Sequence, residues 1–172
     1  SDDEGEYLPD GSYVTYFTEE RTSNQAWCED CPSDPIARGV SDRIEVLTSI
    51  PFTNSEPLQL LRYTKGQKYD VHHDLDPGDL YRQQGVRLMT LFLYLNDVEE
   101  GGQTRFPQLN LTFTPKRGRI VIWPNVLDED PDEEDPRTEH QAMPVIKGVK
   151  YSANSWTHQH DVLTPMYENC RD

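Results

Sequence analysis

Short apolar segments, separated by Gly, Pro, Asn and Asp, dominate the sequence from residue 58 onward. Each is long enough for one β-strand, and turn-forming residues interrupt the chain between them. In the final segment, side chains of two alternating sets are expected on opposite faces, which is typical of a half-buried strand. The sets are Tyr151, Ala153 and Ser155, and Ser152, Asn154 and Trp156. The strands predicted in this way are 58–64, 87–96, 118–124 and 150–159.

One earlier segment has the periodicity of a helix. Its apolar residues recur every three or four positions, the spacing of one face of an amphipathic helix. Ser33 or Asp34 stands where an N-cap is expected. One helix and many short strands predict a mainly β (α+β) domain built as a two-sheet jelly roll. The residues that define the helix face are Ile36, Val40, Ile44 and Leu47.

The length of the chain limits its organisation. At 172 residues it is long enough for one domain with a substantial core and short for two. There is no run of about 18 or more apolar residues, so no transmembrane helix is predicted. The first residues contain neither Met nor an apolar segment, so we interpret residues 1–19 as a processed or truncated extension. We expect the domain to span 20–161 and a C-terminal tail to span 162–172.

The charge of the chain excludes one class of partner. Sixteen basic and 31 acidic residues give a net charge of −15, which repels nucleic acid. The segment 127–137 alone holds seven acidic residues. It is either a solvated loop broken by prolines or a lid that favours basic peptide substrates.

The three cysteines bear on the compartment. Cys28 and Cys31 form a C-x-x-C, and Cys170 stands alone. Three scattered cysteines do not make a zinc site, and the βαβ context of a thioredoxin-like motif is absent. We expect a local disulfide between Cys28 and Cys31, with free thiols as the alternative. The glycosylation sequon at Asn110 also favours a secretory compartment.

His72 and Asp74 are the strongest candidates for chemistry. Side chains at positions i and i+2 of a strand leave the same face, so these two can meet at one point. A second imidazole from a distant strand, for which His140 is the candidate, would complete the 2-His-1-carboxylate set of non-haem Fe(II) oxygenases. The same donors would also take zinc or nickel. Lys150, ten residues after His140, is a cation that could hold the far carboxylate of a cosubstrate.

The neighbours of this motif are assigned differently. His73 should point to the opposite face of the strand, and Asp76 lies in a turn before Pro77.

Lys150 lies in a strand of low charge. An ammonium that points into a barrel is costly unless a carboxylate pairs with it.

Three long segments resemble a known family. Residues 58–74 ("LQLLRYTKGQKYDVHHD"), 86–107 ("VRLMTLFLYLNDVEEGGQTRFP") and 140–161 ("HQAMPVIKGVKYSANSWTHQHD") resemble the catalytic domain of 2-oxoglutarate-dependent prolyl 4-hydroxylases. The branch they resemble is the plant, algal and collagen-type branch. "RTSNQAW" and "DRIEVLTSIPF" upstream fit as well, so the resemblance covers roughly residues 20 to 161. His-x-Asp alone is weak, but the full series of motifs is specific.

The resemblance implies a double-stranded β-helix core with helices packed on one sheet. It implies that the metal is iron and that Lys150 binds the distal carboxylate of 2-oxoglutarate. The hydroxyls of Tyr63 and Thr104 would assist in binding 2-oxoglutarate, and a Gly-Gly turn would present Thr104. In the related lysyl and prolyl 3-hydroxylases and in oxygen-sensing prolyl hydroxylases this position tends to be arginine, so Lys150 points to the prolyl 4-hydroxylase branch. The residues that match the family's peptide groove are Tyr69, Arg87, Trp156 and His158.

The resemblance also implies an activity. It predicts hydroxylation of peptidyl proline with Fe(II), dioxygen and 2-oxoglutarate, releasing succinate and carbon dioxide, with ascorbate as reductant. The substrate would be a proline-rich peptide or protein, and the location the endoplasmic reticulum or Golgi lumen. Two alternatives stay open. One is a related 2-oxoglutarate oxygenase with another substrate, and the other is a proline-rich-peptide binding module without turnover.

Overall fold

The computed structural model describes residues 4–7, 13–16 and 20–167. Within these residues the chain is mainly β, with two α-helices, α1 (Pro35–Thr48) and α2 (Leu163–Tyr167). Short 3-10 turns connect several strands. The strands are β1 Glu4–Tyr7, β2 Tyr13–Tyr16, β3 Asn24–Trp27, β4 Gln59–Tyr63, β5 Tyr69–His72, β6 Arg87–Tyr94, β7 Glu100–Gly101, β8 Thr104–Phe106, β9 Leu111–Phe113, β10 Ile120–Pro124, β11 His140–Ala142, β12 Val145–Lys147 and β13 Lys150–His158.

The larger sheet has five antiparallel strands in the order β10-β6-β13-β4-β3. All four strands predicted from the apolar segments lie in it, as β4, β6, β10 and β13. The prediction that the last of these is half-buried was wrong, because β13 is buried on both faces over most of its length. Ala153, for example, is buried and lies between its register partners Leu60 and Leu93 on the adjacent strands.

The smaller sheet has four strands in the order β5-β11-β8-β9, and β12 pairs separately with β7. One apolar cluster joins the two sheets. This is the double-stranded β-helix arrangement, so the predicted jelly-roll fold is confirmed. The cluster consists of Leu61, Tyr63, Phe92, Tyr94, Phe106, Val121, Trp123, Ala142 and Val145.

Helix α1 begins where the sequence predicts. Of the two candidate caps, Asp34 is the one used, because its carboxylate accepts hydrogen bonds from the backbone N–H groups of Ile36 and Ala37. The predicted buried face is wrong in part. Ile44 is buried, but Ile36 and Leu47 are exposed, at 83% and 62%. Only the middle of the predicted face is covered, where Ile44 is buried and Val40 is half-buried.

The glycine pair before β8 is a tight turn, as expected. Gly101 and Gly102 have φ angles of +82° and +72°, which other residues rarely adopt. A Cβ atom on Gly101 would lie 2.3 Å from the carbonyl oxygen of Pro144. Glycine is therefore required where β7 passes β12, and the turn delivers Thr104 to the start of β8.

The acidic segment 127–137 is a loop. Six of its seven carboxylates are exposed, as a solvated loop requires. The exception is Asp135, which is 2% exposed and forms an ion pair with Arg137. The backbone of Asp135 also contacts His73, so the C-terminal end of the loop is anchored.

The remaining predictions concern local features and the chain ends. Cys28 and Cys31 form the expected disulfide. Asn110 is exposed in a turn, with a φ angle of 53°. Cys170 lies outside the described residues. In the part of the chain that the structure covers, neither helix has the length and apolar character needed to cross a membrane.

Candidate metal centre and adjoining cavity

The smaller sheet brings together the three predicted metal ligands. His72 ends β5, His140 begins β11, and the two residues pair directly across these antiparallel strands. Asp74 follows β5 by two residues and faces both rings. Its carboxylate oxygens lie 3.8 Å from Nε2 of His72 and 3.7 Å from Nε2 of His140. All three donor atoms lie within 4.8 Å of one another.

Hydrogen bonds to the chain orient these side chains. Nδ1 of His72 lies 2.8 Å from the carbonyl oxygen of Asp70, and Nδ1 of His140 lies 3.0 Å from that of Thr138. Because a carbonyl only accepts, each Nδ1 carries the proton, and each Nε2 keeps its lone pair for a metal. The hydroxyl of Thr90 donates to Asp74 at 2.7 Å.

The charge states suit a divalent cation. Burial, aided by the neighbouring His140, lowers the pKa of His72 to about 4. Burial also lowers the pKa of His140. Burial alone would raise the pKa of Asp74, but the two imidazoles and Thr90 outweigh it and lower that pKa to about 2. At neutral pH the cluster therefore offers two neutral imidazoles and one carboxylate, the protonation states that metal binding needs.

His73 faces away from the cluster, as the strand alternation predicts. Its Nδ1 accepts a hydrogen bond from the backbone N–H of Leu75, so Nε2 carries the proton. Nε2 lies 3.1 Å from the carbonyl oxygen of Asp135 and 3.2 Å from the hydroxyl of Thr138. His73 thus ties the strand of His72 to the loop that leads into His140. Asp76 is exposed and caps a 3-10 turn at Gly78.

Lys150 is the least expected side chain in the core on physical grounds. It is fully buried, and its Nζ has no hydrogen-bond partner among the residues that the structure describes. Its ammonium lies 4.8 Å, 4.9 Å and 5.4 Å from the ring centres of Tyr63, Phe92 and Tyr94. Burial lowers the pKa of Lys150 to about 7. Aromatic rings offset part of the cost of a buried cation, and pairing with a carboxylate would offset more of it.

Tyr63 and Thr104 lie on the same side of the core. Tyr63 pairs with Lys150 across β4 and β13, and burial raises its pKa. The hydroxyl of Thr104 accepts a hydrogen bond of 2.6 Å from Tyr94. Burial raises the pKa of Tyr94 to about 12, so this phenol stays protonated and orients Thr104.

A cavity of about 430 Å³ opens above the cluster. Its wall contains the three predicted ligands together with Tyr63 and Thr104, so it connects the metal cluster with the surroundings of Lys150. A volume of this size accommodates a small ligand and part of a peptide. The residues of its wall that sequence reasoning did not assign are Arg21, Trp27, Gln59, Leu61, Phe92, Ala142 and Asn154.

Three of the four predicted groove residues line this cavity. The ring of Tyr69 stacks on that of His72, with centroids 3.5 Å apart. The guanidinium of Arg87 lies 4.0 Å from the centre of the Trp156 ring. The fourth residue, His158, is buried and borders an adjoining groove instead.

Glu56 links Arg87 to His158 and was missed from the sequence. Its carboxylate accepts hydrogen bonds of 2.6 Å and 3.2 Å from Arg87 and lies 2.7 Å from Nε2 of His158. Burial would raise the pKa of Glu56, but His158 and Arg87 outweigh it, so the pKa is lowered. A lone glutamate between two elements carries no signal in the sequence, because its partners come from β6 and β13.

A two-sheet jelly roll that carries a cluster of two histidines and one carboxylate is typical of the class of non-haem iron oxygenases. The sequence profile described as the 2OG-Fe(II) oxygenase superfamily matches residues 58–158. The chain belongs to the 2OG-Fe(II) oxygenase superfamily.

The individual proteins to which the chain is similar include prolyl 4-hydroxylases. The chain is 36% identical over 142 residues to prolyl 4-hydroxylase subunit alpha-2 of Gallus gallus, covering 81% of this chain and 26% of that one. It is 33% identical over 183 residues to probable prolyl 4-hydroxylase 4 of Arabidopsis thaliana, covering 91% and 59%. The predicted resemblance is confirmed, although the chain spans about a quarter of the length of the animal subunit.

A solved structure gives the same result. Viral collagen prolyl hydroxylase from Paramecium bursaria Chlorella virus-1, determined as a 2OG complex, matches with a TM-score of 0.68 and 33% identity. The match covers 81% of this chain and 80% of that one.

Fe(II) and 2-oxoglutarate, which the family name implies, fit the residues present. Two free Nε2 atoms and an ionised carboxylate are a suitable donor set for the metal. The buried Lys150 ammonium, which has no hydrogen-bond partner among the described residues, fits the cosubstrate, which carries a carboxylate at each end.

Proposed function

We propose that this chain hydroxylates C4 of proline residues in peptides, using Fe(II), dioxygen and 2-oxoglutarate. The observation that carries the proposal is the fully buried Lys150 ammonium, without a hydrogen-bond partner in the described part of the chain, beside a cavity that also holds the His-Asp-His cluster. The similarity to animal, plant and viral prolyl hydroxylases supports the choice of substrate.

In this proposal His72, Asp74 and His140, which all line the cavity, would hold the iron through the two Nε2 atoms and the carboxylate. When bound, the iron and 2-oxoglutarate supply the oxidising chemistry, in which one oxygen atom of O₂ goes to the substrate and the other to succinate, with release of CO₂. Lys150 binds the distal carboxylate of 2-oxoglutarate. Tyr63 and Thr104 line the same cavity, and their hydroxyls help to hold the cosubstrate.

The protein positions the peptide with groups that lie in the cavity wall. Tyr69 and Trp156 offer aromatic faces on which a prolyl ring packs well, since a polyproline II peptide is stiff and loses little entropy on docking. Arg87 is held over Trp156 by Glu56, and His158 holds Glu56 from the other side. Arg87 and His158 thereby fix the shape of the groove.

We also propose ascorbate as the reductant that keeps iron in its ferrous state, and the endoplasmic reticulum or Golgi lumen as the compartment. The Cys28–Cys31 disulfide and the exposed sequon at Asn110 support an oxidising, secretory location.

Incubation of a panel of proline-rich, lysine-containing and proline-free peptides with iron, 2-oxoglutarate and ascorbate tests the proposal. Mass spectrometry should show the gain of one oxygen atom in proline-rich peptides, dependent on 2-oxoglutarate. Oxidation of lysyl peptides instead would identify another oxygenase of the superfamily. Peptide binding without succinate formation would identify a binding module.

A further inference from the structure

A second groove continues the cavity away from the metal cluster. It has a volume of about 270 Å³, and Trp27, Asp76 and Arg87 line both the cavity and the groove. A peptide whose target proline lies in the cavity can therefore place a neighbouring side chain in the groove.

Trp27 forms the border between the two spaces. It is the last residue of β3, and its ring lies 5.8 Å from the ring of Trp156 at a tilt of 52°. Trp156 carries the Arg87 guanidinium and is buried, whereas Trp27 is 44% exposed. Trp27 therefore presents open aromatic surface at the point where a peptide would leave the cavity.

The position of Trp27 is fixed from both sides. It pairs with Gln59 in β4, and the next residue, Cys28, donates its backbone N–H to the carbonyl of Leu58. The disulfide from Cys28 to Cys31 then closes the chain directly after the tryptophan. The backbone of Trp27 is thus fixed before a ligand binds, so ordering this segment costs little conformational entropy.

The charge of the groove is negative where it is open. Glu56 is paired with Arg87 and His158, and Asp79 is paired with Arg82. Glu29 and Asp76 also line the groove, and both are exposed. Within the described residues neither has an ion-pair partner, so two carboxylates of the groove that Trp27 lines are available to a cation.

The acidic loop does not explain this charge. Among the described residues, none of 127–137 lines the cavity or the groove. A preference for basic peptides would therefore come from Glu29 and Asp76 rather than from the loop that dominates the sequence.

We propose that Trp27, Glu29 and Asp76 form a subsite for a lysine or arginine side chain next to the target proline. The proposal rests on the proposed function. The cation would lie against the Trp27 ring and pair with the two carboxylates. This subsite makes the enzyme select prolines that have a basic neighbour.

The test compares two proline-rich peptides that differ at one position beside the central proline, lysine in one and norleucine in the other. Affinity for protein loaded with Mn(II) and 2-oxoglutarate is measured by calorimetry at low salt. The lysine peptide should bind roughly threefold to tenfold more tightly, from one exposed ion pair and one cation–π contact. Trp27→Ala and the double variant Glu29→Gln/Asp76→Asn should each lose most of this preference.

Matched controls separate the subsite from general effects. Trp27→Phe keeps an aromatic face and should keep most of the preference. Asn at position 76 can still cap Gly78 through its amide oxygen, so the double variant should fold. Glu129→Gln/Asp132→Asn removes two charges from the acidic loop and should leave the preference unchanged.

The outcomes distinguish this proposal from the proposed function. Equal affinity for the two peptides in the unaltered protein, or an unchanged preference in the Glu29→Gln/Asp76→Asn variant, would overturn the subsite even if proline is hydroxylated. A preference that depends on Trp27 and both carboxylates, together with no hydroxylation of any peptide, would support the subsite and overturn the proposed function. The double variant keeps the test decisive if Trp27→Ala does not fold.

Discussion

His140 pairs directly with His72 across two antiparallel strands, and their rings lie 4.3 Å apart. This register places both Nε2 atoms on the carboxylate of Asp74. Only one register between β11 and β5, the one that pairs His140 with His72, therefore assembles the cluster. A shift of one residue would turn His140 to the other face of the sheet.

The metal ligands can be separated from His73 by substitution. His72→Ala and Asp74→Ala should each abolish binding of Fe(II), measured under anaerobic conditions, because each removes one of three donors. His73→Ala should keep metal binding but lower the free energy of unfolding by about 1–2 kcal/mol, since it removes the hydrogen bonds to Asp135 and Leu75. Loss of metal binding in a folded His73→Ala variant would show that the register is wrong.

Lys150 should determine the affinity for 2-oxoglutarate and its pH dependence. Its pKa is lowered to about 7 by burial, so at pH 8 the amine of the free protein is mostly neutral. Pairing with a carboxylate requires the ammonium, so binding at pH 8 should take up close to one proton per site. Calorimetry of Mn(II)-loaded protein in buffers of different ionisation enthalpy measures this uptake.

Two variants control for this result. Lys150→Arg keeps a charge that does not titrate and should bind 2-oxoglutarate without proton uptake. Lys150→Met should weaken binding by about 30-fold or more, as expected for loss of a buried charge pair costing 2–5 kcal/mol. Unchanged affinity in Lys150→Met would remove Lys150 from the cosubstrate site.

The lowered pKa values of the imidazoles predict how metal affinity varies with pH. Since His72 titrates near pH 4 and Asp74 near pH 2, protons should compete weakly with Mn(II) between pH 8 and about pH 5. Electron paramagnetic resonance of free Mn(II) measures the affinity across this range. A decline that begins near pH 6.5, the ordinary value for histidine, would contradict the burial argument.

The same shift predicts a change in the stability of the metal-free protein. The folded-state pKa of His72 is lowered, so its neutral form is favoured in the fold, and this contribution is complete above pH 6.5. It is lost as the pH falls from 6.5 to about 4, at a cost of about 3 kcal/mol. Urea unfolding of the unaltered protein and of His72→Asn over this range should differ in slope, and equal slopes would exclude His72 as the cause.

The disulfide should stabilise the fold modestly. The loop between Cys28 and Cys31 is short, so the double variant Cys28→Ser/Cys31→Ser should unfold with a free energy lower by roughly 2 kcal/mol. Denaturant unfolding of oxidised protein, reduced protein and the double variant measures the effect. If reduction destabilises the double variant as much as the unaltered protein, the effect does not come from the Cys28–Cys31 disulfide.

Much of the fold could be predicted because its signals are local. The apolar segments that form β4, β6, β10 and β13 are visible in the sequence, as are the Asp34 cap and the glycine turn before Thr104. The buried face of α1 could not be predicted, because Ile36 and Leu47 have the right spacing but stay largely exposed in the fold.

In the candidate site, too, local features could be predicted from the sequence and long-range contacts could not. His-x-Asp spacing places two donors on one face, but the partnership with His140 depends on long-range register that the sequence resolves through resemblance. Glu56 and Trp27 were missed because their significance lies in contacts with Arg87, His158 and Trp156, from distant strands. Spacing along the chain carries no trace of such contacts.

The most direct test of the account is the fate of labelled oxygen in a proline-rich peptide. The protein is incubated with Fe(II), 2-oxoglutarate, ascorbate and ¹⁸O₂, and the product is analysed by tandem mass spectrometry and by nuclear magnetic resonance of the modified ring. We predict one ¹⁸O atom at C4 of proline, one succinate formed for each hydroxylation, and no product from Asp74→Ala. Consumption of 2-oxoglutarate with the label at another ring position, in another residue or in no peptide would contradict the account.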